Sequence, residues 1–314
     1  MEIPVYLFTG LLESGKTTLI QEVSKEEGFL EPGTTLLIQC EEGEEEFSEE
    51  FLREYRIVLI SIEEQEELNE LFWKRCERDY RPAQIIVEYN GMWEMDALFG
   101  SGIPEEWFIG GIYSTVDAST AELYISNMRK TFMEPLRDSN LIIFNRCTED
   151  TDRLKFRRSL KALNPQVQVA FEKADGTMYE NEAEVLPFDY SRNTVEIEDM
   201  DYGLWYLDAM DHPDRYMGKE VSFTARYCAS AKPHQKYFVP GMHIMTCCED
   251  DIQFLGFICY YEMDDMPFEH GDWVNVTAGF DYGECRLYGE EGPILQLAHI
   301  EKGTKPEQEL VTFT

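Results

Sequence analysis

The stretch Val5-Tyr6-Leu7-Phe8-Thr9-Gly10-Leu11-Leu12-Glu13-Ser14-Gly15-Lys16-Thr17-Thr18-Leu19-Ile20 constrains this chain more than any other. It reads as an apolar strand, a glycine-bounded turn and the start of a helix. Gly10 to Thr17 fits G-x-x-x-x-G-K-[ST], a phosphate-binding P-loop, and the flanking strand and helix supply the context that pattern requires. Backbone N–H groups of Glu13, Ser14, Gly15 and Lys16 are expected to cradle phosphate oxygens. The helix from Lys16 adds the positive end of its dipole. Lys16 would reach the β- and γ-phosphates, Thr17 would bind Mg²⁺ through its hydroxyl, and Thr18 would follow at the phosphate site.

Around this motif, short apolar runs alternate with helical patterns. The runs are 5–8, 35–38, 57–60, 85–87, 109–116, 141–144 and 167–171; the helical patterns are 16–25, 64–80, 121–136 and 152–163. Such alternation predicts an α/β fold with a mostly parallel sheet covered on both faces. Beyond about residue 190 the pattern changes. After one helical segment at 202–210, strands are expected at 220–227, 243–247, 254–261, 273–280 and 294–299, punctuated by glycines. Five strands in this length suit a small Greek-key barrel of OB type. The predicted organisation is therefore a nucleotide-binding domain over 1–190 and a smaller β-rich, OB-like domain over 195–314.

Three further strand ends carry polar residues suited to a nucleotide. After the second run comes Cys40-Glu41-Glu42-Gly43-Glu44, where Glu41 is a candidate for the magnesium shell or else part of a solvated acidic loop. Ile85-Ile86-Val87-Glu88-Tyr89-Asn90-Gly91 has the form of a Walker-B strand. There Glu88 would orient Mg²⁺ and its water, and Gly91 would let its N–H approach the γ-phosphate. In Leu141-Ile142-Ile143-Phe144-Asn145-Arg146-Cys147-Thr148, Asn145 would tie loops together and Arg146 would cover a base by stacking. Thr148 stands where guanine-binding proteins carry an aspartate. A hydroxyl cannot accept two N–H donors as a carboxylate can, so guanine selectivity should weaken unless Glu149 or Asp150 substitutes.

Taken together, these segments resemble the CobW-type GTPases, relatives of accessory proteins that load metals or cofactors into urease, hydrogenase and nitrile hydratase. The P-loop resembles that family's T-G-F-L-G-x-G-K-T-T-L, residues 40–44 its N-E-F-G-E switch segment, and Glu88–Gly91 its E-x-S-G. Ser114-Thr115-Val116-Asp117-Ala118 resembles its T-V-V-D-A strand end. The resemblance covers about the first 170 residues. It implies a Mg²⁺-dependent switch that binds GTP (or ATP) and hydrolyses it slowly, with Lys16, Glu41 and Glu88 as the catalytic set. It also implies a task in metal or cofactor delivery, or in regulating a partner. The family's C-x-C-C metal motif is missing: the matching region is Ile60-Ser61-Ile62-Glu63-Glu64-Gln65, without cysteine. That absence leaves room for a different class of reading, a non-catalytic nucleotide- or metal-responsive adaptor. A small-molecule kinase ranks last, since no acceptor site is evident. Residues from about 200 onward resemble an uncharacterised bacterial β-domain otherwise seen in permease-associated proteins.

The cysteines and charges add bounds. Cys228, His243, Cys247 and Cys248 could form a thiolate/imidazole site for Zn²⁺ or another soft metal, or be buried thiols beside an ordinary histidine. The net charge of −35 argues against a nucleic-acid partner. No run is long and apolar enough to insert into a bilayer, and no basic segment opens the chain, so a cytoplasmic location is expected. The expected partners are a nucleotide, a metalloprotein or permease-related client, and a second copy of the chain paired across the nucleotide.

Overall fold

A computed structural model describes residues 2–164, 166–180, 186–230, 235–245, 252–263, 266–306 and 309–312. The chain divides into two compact units, Met1–Arg153 with Gln166–Asn181, and Leu154–Pro165 with Glu182–Thr314.

The first unit is built on seven strands: β1 (Ile3–Thr9), β2 (Thr35–Gln39), β3 (Ile57–Ser61), β4 (Gln84–Glu88), β5 (Trp107–Asp117), β6 (Leu141–Cys147) and β7 (Gln168–Lys173). They pair in the order β3-β2-β4-β1-β5-β6-β7, and every pairing is parallel. The helices are α1 (Lys16–Val23), α2 (Glu49–Glu54), α3 (Glu70–Tyr80), α4 (Met95–Phe99) and α5 (Ala118–Arg137). Central strands are apolar on both faces because both faces are covered. In β2, Leu36 and Ile38 join one core cluster and Leu37 the other; in β4, Ile85 and Val87 oppose Ile86 in the same way. Parallel pairing puts all strand C-termini on one edge. The loops that follow β1, β2, β4, β5, β6 and β7 therefore gather there.

Several elements differ from the pattern-based expectation, each for a local reason. The helix expected over 64–80 is interrupted. Asn69 accepts N–H bonds from Leu71 and Phe72, both at 3.1 Å, and this cap starts α3 at Glu70. Part of the acidic run at 41–50 is helical rather than loop. Ser48 caps α2 through Phe51 N–H, and Glu49 and Glu50 sit in its first turn, where the dipole favours negative charge. Helix α5 begins earlier than expected because Asp117 caps it through Ser119 N–H, and it breaks at Met128 (φ −148°, ψ 47°).

The second unit holds α6 (Arg153–Leu163) apart from its first residue, α7 (Tyr202–Asp211) and eight strands. These are β8 (Thr194–Glu196), β9 (Glu220–Ala229), β10 (Tyr237–Met245), β11 (Ile252–Gly256), β12 (Ile258–Tyr260), β13 (Trp273–Cys285), β14 (Glu290–Lys302) and β15 (Leu310–Thr312). Strands β9, β10, β12, β14 and β13 pair successively, and β13 returns to β9, closing a five-stranded barrel. Closure removes the edges that an open sheet would expose. The run expected at 254–261 is two strands, β11 and β12, separated by the buried Phe257. An aromatic cluster fills the core: Trp205 of α7 packs against Tyr202, Phe223 and Phe257. Ala162 of α6 belongs to the same core.

Candidate nucleotide site at the sheet edge

The turn after β1 has the backbone that phosphate cradling needs. Gly10 (φ +134°), Glu13 (φ +61°) and Gly15 (φ +98°) are left-handed. A Cβ on Gly10 would lie 2.3 Å from Thr115 O, so side chains other than hydrogen are excluded there. Ser14 Oγ anchors the turn to Thr115 Oγ1 at 2.8 Å, both groups buried. Gly15 is the N-cap of α1, whose first turn therefore faces the loop.

Lys16 is only 4% exposed, which is unusual for a lysine. Its ammonium donates to Gly10 O at 2.7 Å and Leu11 O at 3.0 Å and forms an ion pair with the Glu41 carboxylate. Thr17 Oγ1 donates to Glu88 Oε1 at 2.5 Å, and Gln39 Nε2 donates to Glu88 Oε2 at 3.0 Å. Burial raises the Glu88 pKa above the ordinary glutamate value, against the opposing pull of Thr17, Lys16 and Gln39. Gly91 lies against the P-loop backbone: a Cβ there would stand 2.2 Å from Gly10 O. Glu13 Oε1 accepts Glu44 N–H at 2.7 Å, tying the turn to the segment after β2.

From β6, Asn145 Nδ2 donates to Ser14 O at 2.6 Å, while Asn145 Oδ1 is buried without a partner. Arg146, itself left-handed, donates to Glu13 O at 3.0 Å and pairs with Asp117. Burial works against ionisation of Asp117, yet its bonds from Ser119 and Arg146 prevail and hold the carboxyl below its usual range. Thr148 is exposed, and its N–H donates to Thr151 Oγ1 at 2.9 Å.

Clefts open at this edge on both sides of the P-loop. One is lined by Glu13, Gly15, Lys16, Thr17, Thr18 and Arg146, together with Glu41, Glu45 and Glu88. The next, of about 580 Å³, runs past Gly15, Thr18 and Leu19 to Asn145, Arg146 and the end of β7. Sequence reading gave no role to Gln39, Thr115 or Asp117. Their signal was present: each is a polar residue near the C-terminal end of its strand. Only the pairing of strands shows what those side chains touch.

The cysteine and histidine candidates of the second unit behave differently. Cys228 is paired with Val239 across β9 and β10, four residues out of register with His243. That offset is roughly 13 Å along a strand. His243 stacks edge-on against Phe254, with ring centroids 5.2 Å apart. Cys247 and Cys248 lie outside the described residues. Among the described residues no group of three or more His, Cys, Asp or Glu side chains is placed to hold a metal. No helix among them is long and apolar enough to cross a membrane.

Residues 173–312 match the family model described as the DUF1980 C-terminal domain. No curated protein matches the chain. Among solved structures, the chain is similar to the hydrogenase maturation factor HypB from Archaeoglobus fulgidus. The two are 17% identical, with 56% of this chain and 84% of HypB covered and a TM-score of 0.40. It is also similar to the Zn(II)-bound YjiA GTPase from E. coli, at 16% identity over 74% of each chain and a TM-score of 0.42. The chain joins a seven-stranded parallel sheet, with a P-loop sequence after its β1 strand, to a closed barrel within a region that matches the DUF1980 C-terminal domain.

Proposed function

We propose that this protein is a Mg²⁺-dependent, GTP-binding switch of CobW type that hydrolyses its nucleotide slowly. The observation that carries this reading is the P-loop with Lys16 and Thr17 already buried against Glu41 and Glu88. Phosphate on the loop would exchange Lys16's present acceptors for phosphate oxygens, and the Lys16–Glu41 pair would open. Because Glu41 belongs to the segment after β2, nucleotide occupancy would be transmitted to residues 40–46, the region that Glu13 also grips through Glu44. This is how a local charge exchange becomes a switch.

The donor set fits a hard divalent cation: Thr17 and Glu88 bring oxygen atoms together, and Glu41 lies beside them. When bound, such a cation neutralises phosphate charge. The phosphate cleft needs that help, since four carboxylates (Glu13, Glu41, Glu45, Glu88) line it against two cations, Lys16 and Arg146. Arg146 is already committed to Asp117. With no second free cation lining this cleft among the described residues, turnover would be slow until a client or a second copy of the chain completes the site. The client would be a protein receiving a metal or cofactor, or a regulated partner.

The test is nucleotide binding by the full chain with a fluorescent GTP analogue. Wild type should bind with Mg²⁺ and lose most affinity in a chelator. Lys16→Ala should bind at least about 100-fold more weakly. A Lys16→Ala variant that binds like wild type would sink the reading.

A further inference from the structure

Guanine selectivity needs a carboxylate near the base, and Thr148 cannot supply one. Nor do the acids beside it. Glu149 Oε1 accepts the Tyr179 hydroxyl at 3.2 Å. Asp175 Oδ1 accepts the Thr177 N–H at 2.9 Å and its hydroxyl at 2.6 Å. Neither these residues nor Asp150 lines the cleft that continues from the P-loop.

Glu172 does. It stands one residue before the end of β7, at the same sheet edge as Asn145 of β6. Across the cleft are Gly15, Thr18 and Leu19. The next residue, Lys173, sends its ammonium to the ring of Tyr179, 4.7 Å from the centroid. Lys173 and Ala174 line the same cleft beside Glu172. Among the described residues it forms no ion pair. Glu22 lines the same cleft but is exposed and solvated, whereas Glu172 is half-buried. Burial, then the charge of Glu22, raises the pKa of Glu172. An anion held at such a disadvantage gains most from meeting N–H donors.

We infer that Glu172 is the base-reading residue: its two carboxylate oxygens accept the N1–H and the exocyclic N2–H of a guanine seated between Leu19 and Arg146. Adenine presents an acceptor at N1 and no amine at C2, so it is rejected. The inference rests on the nucleotide-binding reading above and goes further, moving the selectivity element from the end of β6 to the end of β7.

The experiment is calorimetric titration of the full chain, wild type and Glu172→Gln, with the Mg²⁺ complexes of GDP, ADP and XDP. A carboxamide offers one donor and one acceptor, which matches xanthine's C2 carbonyl and N1–H. Wild type should prefer GDP. E172Q should lose about 100-fold in GDP affinity and prefer XDP instead. Because the XDP signal is a gain, a misfolded variant cannot imitate it. If E172Q keeps the GDP preference, or loses GDP without gaining XDP, the assignment is overturned while the phosphate site stands. Equal binding of GDP and ADP by wild type overturns it in the same way. Wild type binding none of the three overturns the nucleotide reading itself.

Discussion

The two units bury charge for different ends. In the barrel unit, Asp208 is 4% exposed, and both its oxygens are occupied. Tyr216 OH donates to Oδ2 at 2.6 Å and Arg215 pairs with Oδ1. Burial, followed by the bond to Asp208, pushes the Tyr216 hydroxyl far above its ordinary pKa. In the sheet unit, Glu88 is 1% exposed and its pKa is raised, Lys16 is pinned by groups a phosphate would displace, and Asn145 Oδ1 has no partner. The first arrangement is closed and structural. The second keeps polar groups at an edge where a ligand can replace their present partners. Polar burial alone therefore does not mark a site. The mark is burial whose satisfaction is incomplete or exchangeable.

The sharpest way to break this contrast is Asp208→Ala. Removing the acid leaves Tyr216 and Arg215 without their shared acceptor, and the variant should lose about 3–5 kcal/mol in urea denaturation. A loss under about 1 kcal/mol would mean that the closed network is not structural. Next in size is Gly10→Ala, which places a methyl group against Thr115 O in a left-handed backbone. A cost of about 2–3 kcal/mol is expected, together with lost nucleotide binding. Wild-type binding by that variant would show that the turn adapts and is not pre-formed.

The smallest effect and the most diagnostic sign belong to Glu88→Gln. With its pKa raised in the folded state, Glu88 keeps a proton there that the unfolded chain releases near pH 4.5. The folded state binds more protons in that window, so stability falls as pH rises through it. E88Q removes this loss. It should match wild type near pH 4 and be the more stable of the two at pH 7, by less than about 2 kcal/mol. In the presence of Mg²⁺ and nucleotide the order should reverse, because only the carboxylate gains from the cation. Thermal melts at the two pH values, with and without Mg-GDP, read both signs. A variant less stable than wild type at pH 7 without ligand would place Glu88 with Asp208 among the closed networks.

Much of this was legible in the chain because the signals are local. The P-loop's glycines, its lysine and its threonine follow one another within eight residues, and each answers to a backbone or charge requirement of its own segment. The apolar runs of β1, β2 and β4 announced a buried parallel sheet, since only doubly covered strands are apolar on both faces. The break in the barrel strand at Phe257, the cap at Asn69 and the helix hidden in the acidic run were less legible. Period and charge patterns do not distinguish a capped helix start from a solvated acidic loop.

By itself, then, the sequence determined the glycine-bounded turn after β1, the alternation of strand and helix around it, and the change to β structure after about residue 190. Tertiary structure alone decided which strand ends become neighbours. Glu88 meets Thr17, Asn145 meets Ser14, and Glu172 reaches the cleft only because parallel pairing stacks β4, β1, β5, β6 and β7 with their C-termini together. It also decided that α6 joins the barrel's core and that Cys228 and His243 stay apart. The reason is the same throughout. A residue's type and its near neighbours set what it can do, whereas its partners, 71 residues away for Thr17 and 131 for Asn145, are chosen by how apolar faces pack.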